Sequence, residues 1–464
     1  MRVSVVITLV AALLALAAVL LVGQALLQPD LPLITAAGFS TETITPNADG
    51  DGDVAEFSYT LTSNAQVTLA FEAQDGTVYY FRQDEPRTPG EKRVLFSGVV
   101  DGFTLDGETV SGQVLRRLIP NGSYTWRLTA TDTASGETME QSGTLVIADG
   151  ESQLPEIISF TVSPDVFTPN QDGIADRTQI NVYLPKAAEL AVYLEGPDGQ
   201  QIYVPERDEG RALGEPGRHL FDYDGGIDLG VQPPPDGTYT VVAVAQDDEG
   251  QRVQQTATLL VQGGGDPQAE IAPQASGADV AFAVVPYEER YFTSADVQGD
   301  LVALPDDPQD LGFSSITMPV GDLLVFRLTV ENYGSVPIRT SGPGPGTVYE
   351  QDQVWGAMGV YEESGAWRVG LNCSTSTRDF PWRWAVGTPE NLQAVVDEVS
   401  GKTYYYLMPG TQSVVWGAVR MTNLIEARNP QQCWAGLIHE DVEVSVRNAR
   451  VGARDIELIP QSGE

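Results

Sequence analysis

Thr168-Pro169-Asn170-Gln171-Asp172-Gly173-Ile174-Ala175-Asp176 has a near copy, Thr45-Pro46-Asn47-Ala48-Asp49-Gly50-Asp51-Gly52-Asp53, located 123 residues upstream (168 minus 45). The same offset aligns residues 31–81 with residues 154–204 without a gap. Self-similarity at a fixed offset is the sequence signature of a repeated structural unit. The sequence therefore predicts two copies of one domain.

The pattern within both copies is typical of β-strands. Asp75-Gly76 and Asp198-Gly199 are hairpin-turn signals between strand candidates. Short strands separated by turns predict a β-sandwich for each copy, over residues 31–150 and 151–262. Apolar residues alternate with polar ones, as in strands buried on one face, at Phe57, Tyr59 and Leu61, at Val67, Leu69 and Phe71, at Ile180, Val182 and Leu184, and at Leu190, Val192 and Leu194.

Two signatures link the copies to a known family. Each copy opens with Thr-Pro-Asn-x-Asp-Gly-x-x-Asp, and each has Pro-[Asn/Asp]-Gly-[Ser/Thr]-Tyr-Thr before its last strand, at residues 120–125 and 235–240. In both respects residues 31–262 resemble the Ig-like, fibronectin-III-like domains of flagellar hook-capping proteins, which also occur in bacterial surface proteins. The resemblance implies two tandem Ig-like β-sandwiches. It implies little about function, because one fold serves many functions.

Length and charge limit the classes of function. The protein has 464 residues, which is enough for about three domains of ordinary size. Its net charge is -38, because 64 Asp and Glu outnumber 26 Lys and Arg. A nucleic-acid backbone requires a basic surface, so we expect no nucleic-acid partner. The acidic surface either attracts cations and cationic partners or serves solubility alone.

The N-terminus combines a basic residue with an apolar segment. Arg2 precedes a predominantly apolar run at residues 3–27. About 20 apolar residues cross a bilayer as a helix, so residues 1–30 predict a transmembrane anchor that contacts the membrane through residues 3–27. The charge of Arg2 predicts a single-pass protein of the plasma membrane with the bulk of the chain extracytoplasmic. The alternative is a signal peptide cleaved near residues 23–25, which would make the protein secreted.

The repeated loop carries oxygen ligands at a spacing known from calcium sites. Its first copy has acceptor side chains at alternate positions with a glycine after the third, and its second copy keeps fewer of them. The alternative is a corner between strands, in which the same side chains accept local backbone hydrogen bonds and no ion is bound. The candidate ligands for Ca²⁺ are Asn47, Asp49, Asp51, Asp53 and Glu56 in the first copy and Asn170, Asp172 and Asp176 in the second.

The sequence changes character after the second copy. Residues 263–277 begin with glycines and lack apolar periodicity, which predicts a flexible linker. A third, mainly β domain is predicted at residues 278–460, followed by a tail at residues 461–464. Thr388-Pro389-Glu390 is a helix-start signal, and the apolar spacing up to Gly401 predicts one short helix there. The predicted fold class is all-β, with an N-terminal transmembrane helix and three β domains.

Both cysteines, Cys373 and Cys433, lie in the third domain. An isolated pair in an exported chain favours a disulfide, which we predict between them. The alternative is two reduced thiols in the core. Closing so long a loop would contribute roughly 4 kcal/mol on the chain-entropy model.

The third domain is also rich in aromatic residues. It holds six of the seven tryptophans and the run Tyr404-Tyr405-Tyr406. Trp382 and Trp384 are flanked by charged residues and are candidates for an exposed platform that binds sugar rings or a protein partner. The alternative is that both belong to the core. Residues 330–338 and 407–410 resemble Ig-like domains of the bacterial proteinase-inhibitor type, which implies inhibition as one alternative function.

The sequence carries no recognisable catalytic motif. His219 and His439 lie in different predicted domains, and neither has a partner at motif spacing, so we predict that the protein is not an enzyme. The predicted function is that of a membrane-anchored extracytoplasmic protein whose tandem Ig-like modules, stiffened by calcium if the loops bind it, present a C-terminal domain to a protein or glycan at the cell surface. The alternatives are a purely structural component of the cell envelope, a glycan-acting enzyme and a proteinase inhibitor.

Overall fold

A computed structural model describes residues 2–26, 31–207, 210, 212–273, 278–297, 299–306, 315–361, 363–397, 400–445 and 447–461. Helix α1 spans Arg2–Leu26, and its side chains are described for residues 7–20, all of them exposed. In the part of the chain that the structure describes, no helix is both long enough and apolar enough to span a membrane. The structure therefore does not confirm the transmembrane anchor predicted at residues 3–27.

The first module is a β-sandwich. Its strands form the sheets β1-β3-β6 and β2-β10-β9-β4-β5, with β7 and β8 outside them. Every second residue of β3 from Ala55 to Leu61 is buried, as the sequence alternation predicts. In the core between the sheets Phe71 stacks on Phe96, with 4.4 Å between the ring centroids. The strands are β1 (Ile34–Phe39), β2 (Thr43–Ile44), β3 (Ala55–Leu61), β4 (Ala65–Glu72), β5 (Val78–Arg87), β6 (Gly90–Phe96), β7 (Val99–Asp101), β8 (Gln113–Leu118), β9 (Gly122–Asp132) and β10 (Thr138–Ile147).

The second module repeats the topology of the first. Its strands are β11 (Ser159–Ser163), β12 (Val166–Phe167), β13 (Thr178–Leu184), β14 (Glu189–Glu195), β15 (Gln201–Tyr203), β16 (Gly217–Tyr223), β17 (Gly237–Gln246) and β18 (Arg252–Val261). The sheet β11-β13-β16 corresponds to β1-β3-β6, and β12 pairs in parallel with β18 as β2 does with β10. The structure thus contains two tandem β-sandwich domains, as the repeat in the sequence predicts.

A shared sheet joins the two modules. Strand β8 belongs to the first module in sequence, but it pairs antiparallel with β18 of the second, with Val114 opposite Val253. The fully buried Gln251 reinforces this pairing, because its side chain accepts the N–H of Leu118 at 3.3 Å and donates to the carbonyl oxygen of Gln153 at 3.0 Å. Backbone and side-chain hydrogen bonds therefore connect the modules.

The C-terminal domain consists of two sheets around a separate core. One sheet has the order β19-β22-β29-β24, with β20 on β22, and the other has the order β21-β32-β30-β25-β23-β28-β27, with β26 on β25 and β31 on β30. Short 3₁₀ turns occur at Glu289–Tyr291, Trp355–Met358 and Glu426–Arg428 in this domain, and at Ile227–Leu229 in the second module. The strands are β19 (Ala269–Ile271), β20 (Val280–Val285), β21 (Ile316–Pro319), β22 (Leu323–Asn332), β23 (Ile338–Thr340), β24 (Val348–Glu350), β25 (Trp367–Cys373), β26 (Trp382–Ala385), β27 (Gln393–Val396), β28 (Thr403–Leu407), β29 (Gln412–Arg420), β30 (Gln431–His439), β31 (Glu443–Val444) and β32 (Val451–Ile459).

The two cysteines pair across this domain's larger sheet. Cys373 on β25 lies opposite Cys433 on β30, and the two form a disulfide. The predicted disulfide is confirmed.

Two segments differ from the sequence prediction. Ala269–Ile271 forms β19 and pairs with β22, so the C-terminal domain begins inside the linker predicted at residues 263–277, of which residues 274–277 lie outside the described residues. The short helix predicted after Thr388 is wrong, because Gln393–Val396 forms β27 and pairs with β28. The β-branched valines of this segment suit a strand, and the neighbouring strand supplies the pairing that the sequence pattern does not reveal.

Candidate functional site

The first copy of the repeated loop is held together by its own side chains. The Asp53 carboxylate accepts the N–H groups of Asn47 at 3.1 Å and Ala48 at 2.9 Å, and also that of Gly50 at 2.7 Å. The side-chain oxygen of Asn47 accepts the N–H of Asp49 at 3.1 Å. These contacts are the local side-chain-to-backbone hydrogen bonds that stabilise turns.

The second copy repeats these hydrogen bonds. The Asp176 carboxylate accepts the N–H groups of Asn170 at 3.1 Å and Gly173 at 2.5 Å. The side-chain oxygen of Asn170 accepts the N–H of Asp172 at 3.0 Å. Gly50 and Gly173 occupy equivalent positions with φ of 90° and 82°, a region that glycine adopts without steric cost. Both loops therefore have the same backbone, and equivalent local hydrogen bonds stabilise it in each copy.

The predicted calcium ligands take different places in the structure. Asp49 and Asp51 are exposed, whereas Asp172 is buried. The predicted ligand Glu56 lies on β3, with its carboxylate 3.6 Å from the guanidinium of Arg93. Among the residues that the structure describes, no group of three or more His, Cys, Asp or Glu is placed to hold a metal ion. Calcium binding stays a prediction.

The second loop docks onto the C-terminal domain. Arg339 of β23 donates from Nε to the carbonyl oxygen of Asp172 at 2.5 Å, and the hydroxyl of Tyr406 donates to the carboxylate of Asp172 at 3.1 Å. His439 Nε2 lies 2.7 Å from the carbonyl oxygen of Gln171. Since a carbonyl oxygen can only accept, Nε2 carries the proton. Three side chains from three strands thus hold one loop of the second module.

Glycines allow the two domains to meet backbone to backbone. A Cβ atom on Gly173 would overlap the carbonyl oxygen of Ser364, and a Cβ atom on Gly365 would overlap the backbone of Asp172. Gly365 also has a positive φ of 78°. Any side chain at either position would push the loop away from the donors that hold it.

Burial changes the proton affinity of two groups in this junction. Burial, and secondly the charge of Asp176, raise the pKa of Asp172 to about 6. Burial lowers the pKa of His439 to about 4, and its ring stacks on Trp367 at 4.4 Å between centroids. Removal from water disfavours the charged form in both cases. At neutral pH, Asp172 is therefore ionised and His439 is neutral.

Arg339 connects the docked loop to a groove in the C-terminal domain. The side chain is buried, and besides Asp172 it binds the carboxylate of Glu363 at 2.9 Å and the carbonyl oxygen of Ser364 at 2.5 Å. Glu363 in turn lies 3.4 Å from Lys402. The planar guanidinium of Arg339 thus donates hydrogen bonds to the docked loop and to a residue of the groove at the same time.

The groove has a volume of about 360 Å³ and a mixed lining. Its apolar wall includes Tyr404, Pro389 and Leu392, and its polar rim includes Glu363 and Lys402. The ammonium of Lys402 lies 5.0 Å from the centre of the Tyr404 ring. An aromatic ring beside a few polar groups is the usual composition of a small-molecule site.

The tryptophans predicted as a platform do not form one. Trp382 is 2% exposed and Trp384 is 0% exposed. The indole N–H of Trp384 donates to the carbonyl oxygen of Thr347 at 3.0 Å, and its ring packs against Phe326 and Tyr349. The platform prediction is wrong, because both rings fill the core between the two sheets.

The sequence identified the loop at Asp172 as a candidate site, but not the residues of the C-terminal domain that bind this loop or those that line the groove. The run that contains Tyr404 and Tyr406 is visible in the sequence, but the groove residues and the loop that these rings contact come from distant parts of the chain. Arg339 and His439 carry no motif, and their roles depend on a loop that lies more than 160 residues away in sequence. No local signal could have identified them.

Comparison with known proteins assigns no family to this chain. No family model and no curated protein sequence matches it. Among solved structures, it is similar to the tetra-tandem repeat in the extending region of a large adhesion protein, with 12% identity, 88% of this chain and 71% of that chain covered, and a TM-score of 0.17.

Two further structures show the same degree of similarity. The fibronectin(III)-like modules of CbhA from Clostridium thermocellum are 10% identical, with 49% of this chain and 93% of that chain covered and a TM-score of 0.18. The native conformation of E. coli alpha-2-macroglobulin is 12% identical, with 94% of this chain and 23% of that chain covered and a TM-score of 0.17. TM-scores this low carry no argument, so the tandem β-sandwich architecture rests on the strand pairing described above.

Proposed function

We propose that the protein is an extracytoplasmic surface protein whose two Ig-like modules hold the C-terminal domain in a fixed orientation, and that the groove beside Tyr404 binds a protein or glycan ligand. The observation that carries this proposal is the position of Arg339, which binds the docked loop and a groove residue at once. A ligand in the groove would be held on a support that continues through both modules.

The chemistry of the groove favours a compact polar ligand with one apolar face. Its volume suits a sugar residue or a few side chains of a peptide. The ring of Tyr404 offers a flat surface for stacking, while Glu363 and Lys402 at the rim can accept and donate hydrogen bonds. A sugar ring presents both an apolar C–H face and hydroxyl groups, so glycans are the first ligands to test.

The disulfide supports a location outside the cytoplasm. Disulfides such as Cys373–Cys433 form and persist in oxidising compartments and are rare in the cytosol.

The binding proposal is tested with an immobilised glycan array and a matched pair of variants. Tyr404→Ala removes the stacking surface, whereas Tyr361→Ala removes a tyrosine that is 78% exposed elsewhere in the same domain. We expect the wild-type protein and the Tyr361 variant to bind the same glycans and the Tyr404 variant to lose them. Equal binding by all three proteins would show that the groove is not the site.

A purely structural role in the cell envelope is the second candidate. The shared sheet between the modules and the docked loop of the second module favour it, because both stiffen the chain without requiring a ligand. Failure of the wild-type protein to bind any glycan or any cell-surface protein, together with a rigid shape in solution, would support this role over the first.

Calcium is a further proposal for the first loop, where Asp49 and Asp51 are exposed. Calorimetric titration with calcium, repeated on the Asp49→Ala and Asp51→Ala double variant, tests it. Saturable heat that the double variant loses would establish an ion site. Absence of heat would leave the loop as a turn.

A further inference from the structure

We propose that the first copy of the loop, residues 45–53, is a docking site for a partner protein that presents an arginine beside a tyrosine on paired β-strands. This site is separate from the groove, and it does not depend on a ligand being bound there. The second copy of the loop, residues 168–176, shows within the same molecule what such a loop binds.

The two loops match in their framework. Besides the carboxylate and amide bonds described above, Thr45 donates its N–H to the carbonyl oxygen of Gly52 at 2.8 Å, and Thr168 donates its N–H to that of Ala175 at 2.9 Å. Asp49 is the counterpart of Asp172, whose carbonyl and carboxylate oxygens are the docking acceptors. The first loop therefore presents the same acceptors in the same geometry.

The surface that receives the second loop defines the partner's chemistry. Arg339 on β23 and Tyr406 on β28 are directly opposite each other in an antiparallel pair of strands. The guanidinium donates to the Asp172 carbonyl oxygen, and the hydroxyl donates to the Asp172 carboxylate. An arginine and a tyrosine on neighbouring strands can thus donate hydrogen bonds to both the carbonyl oxygen and the carboxylate of one aspartate.

The corresponding face of the first loop is open. A Cβ atom on Gly173 would overlap the C-terminal domain, whereas no described atom lies within 4 Å of a Cβ atom on Gly50. Asp49 is exposed, and Asp51 stands where the second copy has Ile174. The first loop is therefore more acidic than the docked copy, which favours a cationic partner group.

A second copy of this chain is a poor candidate for the partner. Its Arg339 and Tyr406 are already bound to its own second loop, which is tethered in place and competes at high effective concentration. The partner is accordingly a different protein. Calcium is the competing occupant that the experiment must distinguish.

The direct test uses a disulfide-cyclised β-hairpin peptide with arginine and tyrosine at one directly opposed pair of positions. Titrated at millimolar concentration into the isotope-labelled full-length protein without calcium, it should produce saturable NMR shifts at the amides of Asp49, Gly50 and Asp51. A hairpin with glutamine in place of arginine should not, and neither should the arginine hairpin with the Asp49→Ala variant, which lacks the side-chain acceptor. The proposal would be overturned if the arginine hairpin produced no shifts or if both hairpins produced equal shifts. It would also be overturned if calcium produced shifts at these amides and the arginine hairpin did not.

A second measurement asks whether the first loop's sequence fits a surface of this kind. The substitutions Gln171→Ala, Ile174→Asp and Ala175→Gly turn residues 168–176 into the sequence of the first copy. We expect hydrogen exchange at residues 170–176 to stay within about threefold of the wild-type rate, since the acceptors are unchanged. Exchange as fast as in a Gly173→Ala variant would show that the first loop's sequence cannot dock, and would overturn the proposal.

Discussion

Gly173 and its counterpart Gly50 form a natural control pair at the level of single residues. Both have positive φ, so alanine strains the backbone at either position. Only at Gly173 would the added methyl group also meet the C-terminal domain. The difference between the two substitutions therefore isolates the cost of losing the docked junction.

We expect Gly173→Ala to lower the free energy of local opening at residues 170–176, and Gly50→Ala to lower it at residues 47–53. The decrease should be about 2 kcal/mol larger for Gly173→Ala. Buried hydrogen-bonding groups that lose their partners typically cost about 1–3 kcal/mol. Hydrogen exchange of residues 170–176 and 47–53 measures both quantities. Equal effects would mean that backbone strain, not docking, dominates at Gly173.

Asp172 and His439 make the junction respond to pH in opposite directions. The pKa of Asp172 is raised to about 6 when docked, so the junction gains stability as pH falls through that value. The pKa of His439 is lowered to about 4 when docked, so the junction loses stability as pH falls below the ordinary value of 6.5. Asp176, Tyr406 and Arg339 act on Asp172, and Arg339 and Asp266 act on His439.

Relative to neutral pH, the docked junction at about pH 5 should lose roughly 2 kcal/mol of stability through His439 and gain roughly 1 kcal/mol through Asp172. The wild-type junction is therefore expected to change little, Asp172→Asn to become sensitive to acid, and His439→Gln to become more stable in acid. Hydrogen exchange at residues 170–174, corrected for intrinsic rates, measures the stability of the junction at about pH 5 and at neutral pH in each protein. Identical pH dependence in both variants would contradict the assignment.

At the level of elements, the disulfide joins two neighbouring strands of the large sheet. Cys373 and Cys433 are 60 residues apart in sequence, and the bond restricts the unfolded chain over that length. We expect the Cys373→Ser and Cys433→Ser double variant to lose about 4 kcal/mol of stability in the C-terminal domain. Denaturant unfolding followed by tryptophan fluorescence reports this domain, since six of the seven tryptophans lie in it. A reducing agent should destabilise the wild-type protein and leave the double variant unchanged.

Strand β27 shows how an element can be mistaken from sequence. Leu392, Val395 and Val396 have helical spacing after a helix-start signal. In the fold this segment is the edge of a sheet, where Val395 and Val396 pair with Tyr404 and Thr403 of β28. The periodicity was real, but the contact that decides between helix and strand comes from the neighbouring strand.

At the level of the whole molecule, two junctions of different kinds connect the three β domains. The modules share a sheet through β8 and β18, and the second module inserts a loop into the C-terminal domain. Short, hydrogen-bonded junctions of this kind limit the relative motion of domains that a free linker would allow.

We expect small-angle scattering of the wild-type protein to show a single rigid shape. The Gly173→Ala and Arg339→Ala double variant should show a broader distribution of shapes, because the C-terminal domain is then held mainly by the chain at residues 263–268. Gly50→Ala is the matched control and should scatter as the wild-type protein does. Equal flexibility in all three proteins would contradict the proposed support.

The sequence by itself determined the features that depend on local pattern and spacing. The repeat predicted two modules of one topology, the period-2 alternation predicted strands such as β3, and the isolated cysteine pair predicted the disulfide. Each of these follows from side-chain direction or pairing rules that act over short distances or on a single pair of residues.

Only the tertiary structure decided which copies of a pattern are covered and which are exposed. The two loops are nearly identical in sequence, yet Asp172 is buried and Asp49 is exposed. Likewise, Trp382 and Trp384 lie in the core, whereas Tyr404 lines a groove. The physical reason is that a surface is buried only where residues of another strand or domain pack against it. That information lies in residues such as Arg339 and His439, far away along the chain.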